Sequence, residues 1–165
     1  MKKIFLYLTL LFSGASMAQL EKNTLFVGSF ISPENQKFFN SYYYSYLGRT
    51  FTPSIGFMLS NKWALGTEFN FGFAFRESQQ IYKNFYFSAF SRYYFINEKK
   101  FAMYVNLSSG YSLFHNINYQ SQKFSLKIGL GASYFLTSKI SLDIQTNYIL
   151  GSSMEGKIGI HYHFR

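Results

Sequence analysis

From Phe124 to the end of the chain, hydrophobic and polar side chains alternate with a period of two. Phe124, Leu126, Ile128, Leu130, Ala132, Tyr134 and Leu136 share one face; Ser125, Lys127, Gly129, Gly131 and Ser133 share the other. After Thr137–Lys139 the pattern resumes, with Ile140, Leu142, Ile144, Thr146, Tyr148 and Leu150 against Ser141, Asp143, Gln145 and Asn147. The last segment sets Ile158, Ile160, Tyr162 and Phe164 against Lys157, Gly159, His161 and His163. Successive side chains of a strand point to opposite faces, so this period predicts strands and not helices. Trp63–Phe73 and Phe101–Tyr111 obey the same rule. Phe85–Phe95 is mixed, because Phe90 and Tyr94 share a face with Ser88 and Arg92, and the facing of Thr24–Ile31 stays open. With Thr50–Leu59 these segments make eight strands. Most have about 9–11 residues, the length a tilted strand needs to cross a bilayer.

The connections alternate in length. Ser60–Lys62, Asn97–Lys100 and Thr137–Lys139 are tight, whereas Ser32–Arg49, Ala74–Lys83 and Ser112–Gln122 are long, and Gly151–Gly156 is intermediate. Outer-membrane barrels have short periplasmic turns and longer external loops. The expected fold class is therefore all-β: an eight-stranded antiparallel up-and-down transmembrane β-barrel with short periplasmic turns and longer extracellular loops. Pro53 cannot donate a ladder hydrogen bond, so a bulge or a wider-spaced position is expected there, with the ring pointing outward beside Phe51 and Ile55.

Composition sharpens this picture. Lys2 and Lys3, the apolar run Ile4–Phe12 and the small residues of Ser16-Met17-Ala18 have the layout of a secretory signal peptide, so residues 1–18 are read as a cleaved leader and 19–165 as the barrel domain. The whole chain carries +9; without Lys2 and Lys3, 14 basic residues face 7 acidic ones, leaving +7. For an exported chain with dispersed basic residues this implies an anionic membrane surface and not nucleic acid. There are no cysteines, and the 15 Tyr and 21 Phe coexist with a mean hydropathy near zero. Apolar residues are thus plentiful but interleaved with polar ones, as strands with one oily face require.

On this facing Glu68, Arg92, Lys127, Asp143, His161 and His163 point into the barrel. Eight strands enclose a space that side chains just fill, so these charges are expected to pair in a polar network of the lumen. A proton-sensitive or metal-binding cluster is the alternative; His161 and His163 lie two apart on one face, but no third ligand is evident, and no metal or cofactor is expected. Phe38, Phe39, Tyr42, Tyr43, Tyr44 and Tyr46 crowd six aromatics into nine residues of the first long connection. They suit an interfacial aromatic belt or, in the alternative, an external contact surface for a macromolecule. His115, near Ser112 and Ser121, lacks an orienting carboxylate, so no catalytic residues and no enzymatic activity are expected.

Several segments together resemble the small outer-membrane β-barrel proteins of the porin-like, OmpX- and OmpA-like type in Gram-negative bacteria, especially those of the Bacteroidetes. They are Pro53-Ser54-Ile55-Gly56-Phe57-Met58-Leu59-Ser60-Asn61-Lys62-Trp63-Ala64-Leu65-Gly66, Phe90-Ser91-Arg92-Tyr93-Tyr94-Phe95, Gly131-Ala132-Ser133-Tyr134-Phe135-Leu136 and Ile158-Gly159-Ile160-His161-Tyr162-His163-Phe164. The resemblance covers nearly all of residues 19–165. It implies assembly by the outer-membrane insertion machinery, which would read Tyr162 and Phe164 in the final strand; Arg165 departs from chains that end on the phenylalanine. The expected role is structural or surface-interacting, with outer-membrane lipid, lipopolysaccharide or an extracellular macromolecule as partner. A porin-like narrow channel is the alternative, invited by the inward glycines Gly66, Gly72, Gly110, Gly129 and Gly131. A lipid-modifying enzyme is the third.

Overall fold

The computed structural model describes residues 20–34, 47–76, 79–116, 119–151 and 154–164. Residues 1–18, which the sequence reads as a leader, and the aromatic segment Phe38–Tyr46 lie outside the described residues. Eight strands follow one another: β1 (Leu25–Glu34), β2 (Leu47–Met58), β3 (Trp63–Arg76), β4 (Gln79–Asn97), β5 (Phe101–Asn116), β6 (Tyr119–Phe135), β7 (Ile140–Ile149) and β8 (Met154–Phe164). Each pairs antiparallel with the next, and β1 pairs with β8 to close the barrel. Closure removes the free edges that an open sheet would present.

Burial matches the alternation and inverts the usual arrangement of a protein in water. Among the described residues 20 buried side chains are polar or charged and 11 are hydrophobic. Ile31, Leu65, Leu107, Ile128, Leu130, Ile144, Ile158 and Ile160 face outward and are exposed. Aromatic pairs bracket this outer apolar band, between neighbouring strands except for Tyr162–Phe164, which lie two residues apart on β8. Trp63–Tyr93, with centroids 4.9 Å apart, and Tyr162–Phe164, at 4.7 Å, lie toward the tight turns. Phe69–Phe87, Phe71–Phe85 and Tyr111–Phe124, at 5.0, 5.3 and 5.3 Å, lie toward the far end.

The tight turns have a local chemical cause. Ser60 Oγ accepts from Trp63 N at 3.1 Å, and Thr137 Oγ1 accepts from Ile140 N at 3.1 Å, each hydroxyl satisfying backbone that the reversal frees. The other two long connections differ from expectation. β3 and β4 stay paired out to Arg76 and Gln79, and β5 and β6 out to Asn116 and Tyr119, so these strands run to 14, 19, 16 and 17 residues. Beyond the apolar band a ribbon no longer needs one oily face, so the alternation fades while the backbone pairing continues.

Pro53 also departs from expectation in part. Phe51 faces Phe71 and Ser54 faces Glu68, so the register is the same on both sides and no residue is inserted. The ladder simply skips the proline, and Asn70 Nδ2 donates to Thr52 Oγ1 at 3.2 Å on the inner face there. The bulge near a turn falls instead at Phe95, between the pairs Tyr94–Tyr104 and Ile96–Met103.

Two features shape the space inside. The inward glycines Gly66 and Gly131 are covered: a Cβ at either would overlap the ring of Phe90 or Tyr104, which lies across it from the neighbouring strand. The mixed face of β4 has the same explanation, since Phe90 and Tyr94 are lumen side chains. At the turn end, residues 20–24 fold beneath the barrel and bury Leu20 in one apolar cluster with Phe26, Met58, Ala64, Tyr94, Ala102 and Phe135. Asn97 holds this segment, its Oδ1 accepting from Leu20 N at 3.1 Å and its Nδ2 donating to Leu20 O at 2.8 Å. Lys22 N donates to Asn61 Oδ1 at 2.9 Å, completing the latch.

Candidate functional site

The lumen holds two linked polar groups above the apolar plug. The first centres on Glu68 of β3. Its Oε1 lies 3.3 Å from Arg92 Nη2 of β4, and its Oε2 lies 2.7 Å from Lys157 Nζ of β8, across the barrel. All three residues are buried. Arg92 donates as well to Asn106 Oδ1 and Gln145 Oε1, both at 3.4 Å. Four rings surround its guanidinium, with Phe90 and Tyr104 centroids at 4.4 and 4.8 Å and those of Phe26 and Phe30 at 5.5 and 5.7 Å. A planar cation suits such a cage because it stacks on ring faces while its edge donates hydrogen bonds.

Lys127 of β6 lies 3.1 Å from Glu155 Oε2 of β8 and 4.3 Å from the centre of the Tyr86 ring. The described inward-facing side chains include three cations (Arg92, Lys127 and Lys157) and three carboxylates (Glu68, Asp143 and Glu155): Glu68 pairs with Arg92 and Lys157, Glu155 with Lys127, and Asp143 with His161. The formal charges cancel with the imidazoles left out.

The second group crosses the seam where the barrel closes. Asp143 of β7 accepts from Ser133 Oγ, from Ser141 Oγ at 2.6 Å, and lies 3.0 Å from His161 Nδ1 of β8. His161 Nε2 lies 2.9 Å from Ser54 Oγ of β2. β1 stands between β8 and β2, and the imidazole reaches over it at Gly28, where a Cβ would overlap the ring. His163 turns elsewhere, its Nε2 2.9 Å from Ser141 Oγ and its ring 5.3 Å from that of Phe135. The two histidines thus reach different hydroxyls, Ser54 and Ser141, and no group of three or more metal-ligating residues forms among the described residues.

Asp143, His161 and Ser54 stand in the order of an orienter, base and nucleophile. Ser54 is 3% exposed and His161 1%, and the rings of Phe30 and Phe26 stand edge-on to the imidazole at 4.9 and 5.7 Å.

All six inward residues named from the sequence are buried in this interior; Lys157, which pairs with Glu68, is placed by the alternation on the polar face of the last strand but not in the lumen network, and Glu155, which pairs with Lys127, carries no such signal. Tyr162 and Phe164 face outward and meet edge-to-face, 38% and 49% exposed. The side chain of His115 lies outside the described ones.

No family model matches the sequence, and no curated protein matches it. Solved structures do match. The N-terminal β-barrel domain of OprF from Pseudomonas aeruginosa is 17% identical with a TM-score of 0.60, over 88% of this chain and 100% of that one. The outer membrane protein OprG from Pseudomonas aeruginosa is 12% identical with a TM-score of 0.60, over 91% of this chain and 100% of that one. Ail, the attachment invasion locus protein of Yersinia pestis, in complex with the heparin analogue sucrose octasulfate, is 19% identical with a TM-score of 0.55, over 88% and 100%. At such identities the shared property is the fold.

Proposed function

We propose that this chain is an integral outer-membrane barrel with a filled lumen, acting as a structural or surface-contact element of that membrane and not as a catalyst. The observation that carries this reading is the inversion of the molecule: an apolar outer band between aromatic pairs surrounds a buried, charge-balanced interior. In hydrocarbon every backbone polar group must be paired within the protein, which a closed barrel achieves. In water, the exposed side chains from Ile128 to Ile160 would form a patch far larger than soluble monomers carry. The solved outer-membrane barrels of like fold support the location.

In this reading residues 1–18 direct export and are removed, and the insertion machinery recognises Tyr162 and Phe164. The far end, with the segment Phe38–Tyr46, meets lipopolysaccharide or another external macromolecule. The Asp143–His161–Ser54 relay ties β7, β8 and β2 across the closing seam, a structural duty that fits its burial.

A narrow passage is the second reading. It is favoured by Asn70 Oδ1, Tyr86 OH, Ser88 Oγ, Asn106 Nδ2 and Asn147 Nδ2, which are buried without a protein partner and suit water. Against it stands the apolar plug around Leu20. Conductance across a planar bilayer separates the two. The folded chain is expected to give no steady current steps; large, steady steps would show an open bore and overturn the filled-lumen reading.

A further inference from the structure

We infer that the turn end of the barrel carries a lysine collar that gathers anionic phospholipid headgroups, an inference that rests on the membrane reading above. All three tight turns contribute. Lys62, Lys100 and Lys139 each stand one residue before the first residue of an ascending strand, giving Lys62-Trp63, Lys100-Phe101 and Lys139-Ile140. Lys99 lies beside Lys100, and Lys22 belongs to the segment latched under the same rim through Asn61. All five lysines are exposed, as are Glu21 and Glu98, the acidic residues described at this end, so the rim keeps a net positive charge.

The repeated placement turns this charge into a surface with a defined depth. Trp63 is 49% exposed and stacks on Tyr93 at 4.9 Å, marking the edge of the apolar band at its turn side. Ile140 faces Tyr162 across the β7–β8 ladder, and Phe101 faces Tyr134 across the β5–β6 ladder. Amphipathic rings sit at the level of lipid headgroups, and the lysines begin one residue beyond that ring-bearing edge. Lysine stems lie along apolar surface while their ammonium groups stay wet. A ring of ammonium groups at this depth meets the phosphates of the leaflet on the turn side, and each lysine near an anionic surface adds attraction. The lumen cannot supply this charge, because its own ions are paired internally.

The chain's single tryptophan lies on the collar and supplies the measurement. The full chain is folded into phosphatidylcholine vesicles containing a minor fraction of dansyl-labelled phosphatidylglycerol or, separately, dansyl-labelled phosphatidylcholine. Energy transfer from Trp63 then reports which lipid gathers beside it. Enrichment of the anionic probe by about two- to five-fold is expected. It should fall to parity in the combined Lys62→Gln, Lys99→Gln, Lys100→Gln and Lys139→Gln variant, and in about 1 M salt, where the Debye length is about 3 Å. Equal transfer from both probes to the inserted protein would overturn the collar and leave the membrane reading standing. Selectivity that survives in the variant would overturn it too. A chain that stays outside both kinds of vesicle would overturn the membrane reading, and the collar with it.

Discussion

Replacing Glu68 with alanine is expected to destabilise the folded barrel by about 3–5 kcal/mol, because it leaves buried cations without their carboxylate. Glu68 is the common partner of Arg92 at 3.3 Å and Lys157 at 2.7 Å, and all three are cut off from solvent. Deleting the anion abandons two cations together. Arg92 would keep its ring cage and its bonds to Asn106 and Gln145, whereas Lys157 would keep the Phe30 ring, 4.8 Å away. Lys157→Met should cost less, since Glu68 then retains Arg92. Combining the two changes should recover part of the loss, because one of the stranded charges is gone. Denaturant unfolding in detergent or lipid measures all three variants. A Glu68→Ala protein as stable as the parent would show that these charges are solvated and that the lumen is not filled.

Ile144→Arg is expected to cost about 2–4 kcal/mol, the penalty of a cation on the lipid face near the bilayer midplane. Ile144 is mid-way along β7, points outward and is 60% exposed. In a water-soluble barrel an arginine there would be close to neutral. Leu136→Arg supplies the comparison, for Leu136 is outward-facing and lies beside a tight turn. At the interface the same change should cost only about 0–1 kcal/mol. Unfolding of both variants in lipid vesicles checks the depth dependence, and equal small costs would contradict a lipid-facing surface.

How much of this was legible in the sequence varied with the part of the barrel. β6, β7 and β8 alternate cleanly, so their faces could be read directly, and Lys127, Asp143, His161 and His163 do lie inside. β4 was ambiguous because strict alternation assumes that the inner face is polar. Here Phe90 lies over Gly66 and Tyr104 over Gly131, so at these positions a ring fills the space that a neighbouring strand leaves without a side chain. The same pairing explains why inward glycines suggested spare room.

Period two assigns a residue to a face but does not say what it meets across the cylinder. Glu68 and Arg92 are on adjacent strands, so their pairing was open to sequence reasoning, whereas Lys157 reaches Glu68 from a strand 89 residues away. The seam relay was hidden for a related reason. Ser54 meets His161 only once β1 closes against β8 with Gly28 between them, and the facing of β1 had stayed open. Leu20 and its Asn97 latch carry no periodic signal, since they are a single turn of irregular chain held by two side-chain amides. The strand extensions to Arg76 and Asn116 fall in segments whose sequence reads as loop, because paired backbone outside an apolar layer leaves little trace in side-chain pattern.

The most direct measurement of the central claim is where the protein is found in a cell that exports it. After the envelope is separated by density, the chain is expected to sediment with the outer membrane, resist extraction by carbonate and require detergent for release. Recovery as a detergent-free monomer in the soluble fraction would contradict a barrel whose apolar band is built for lipid.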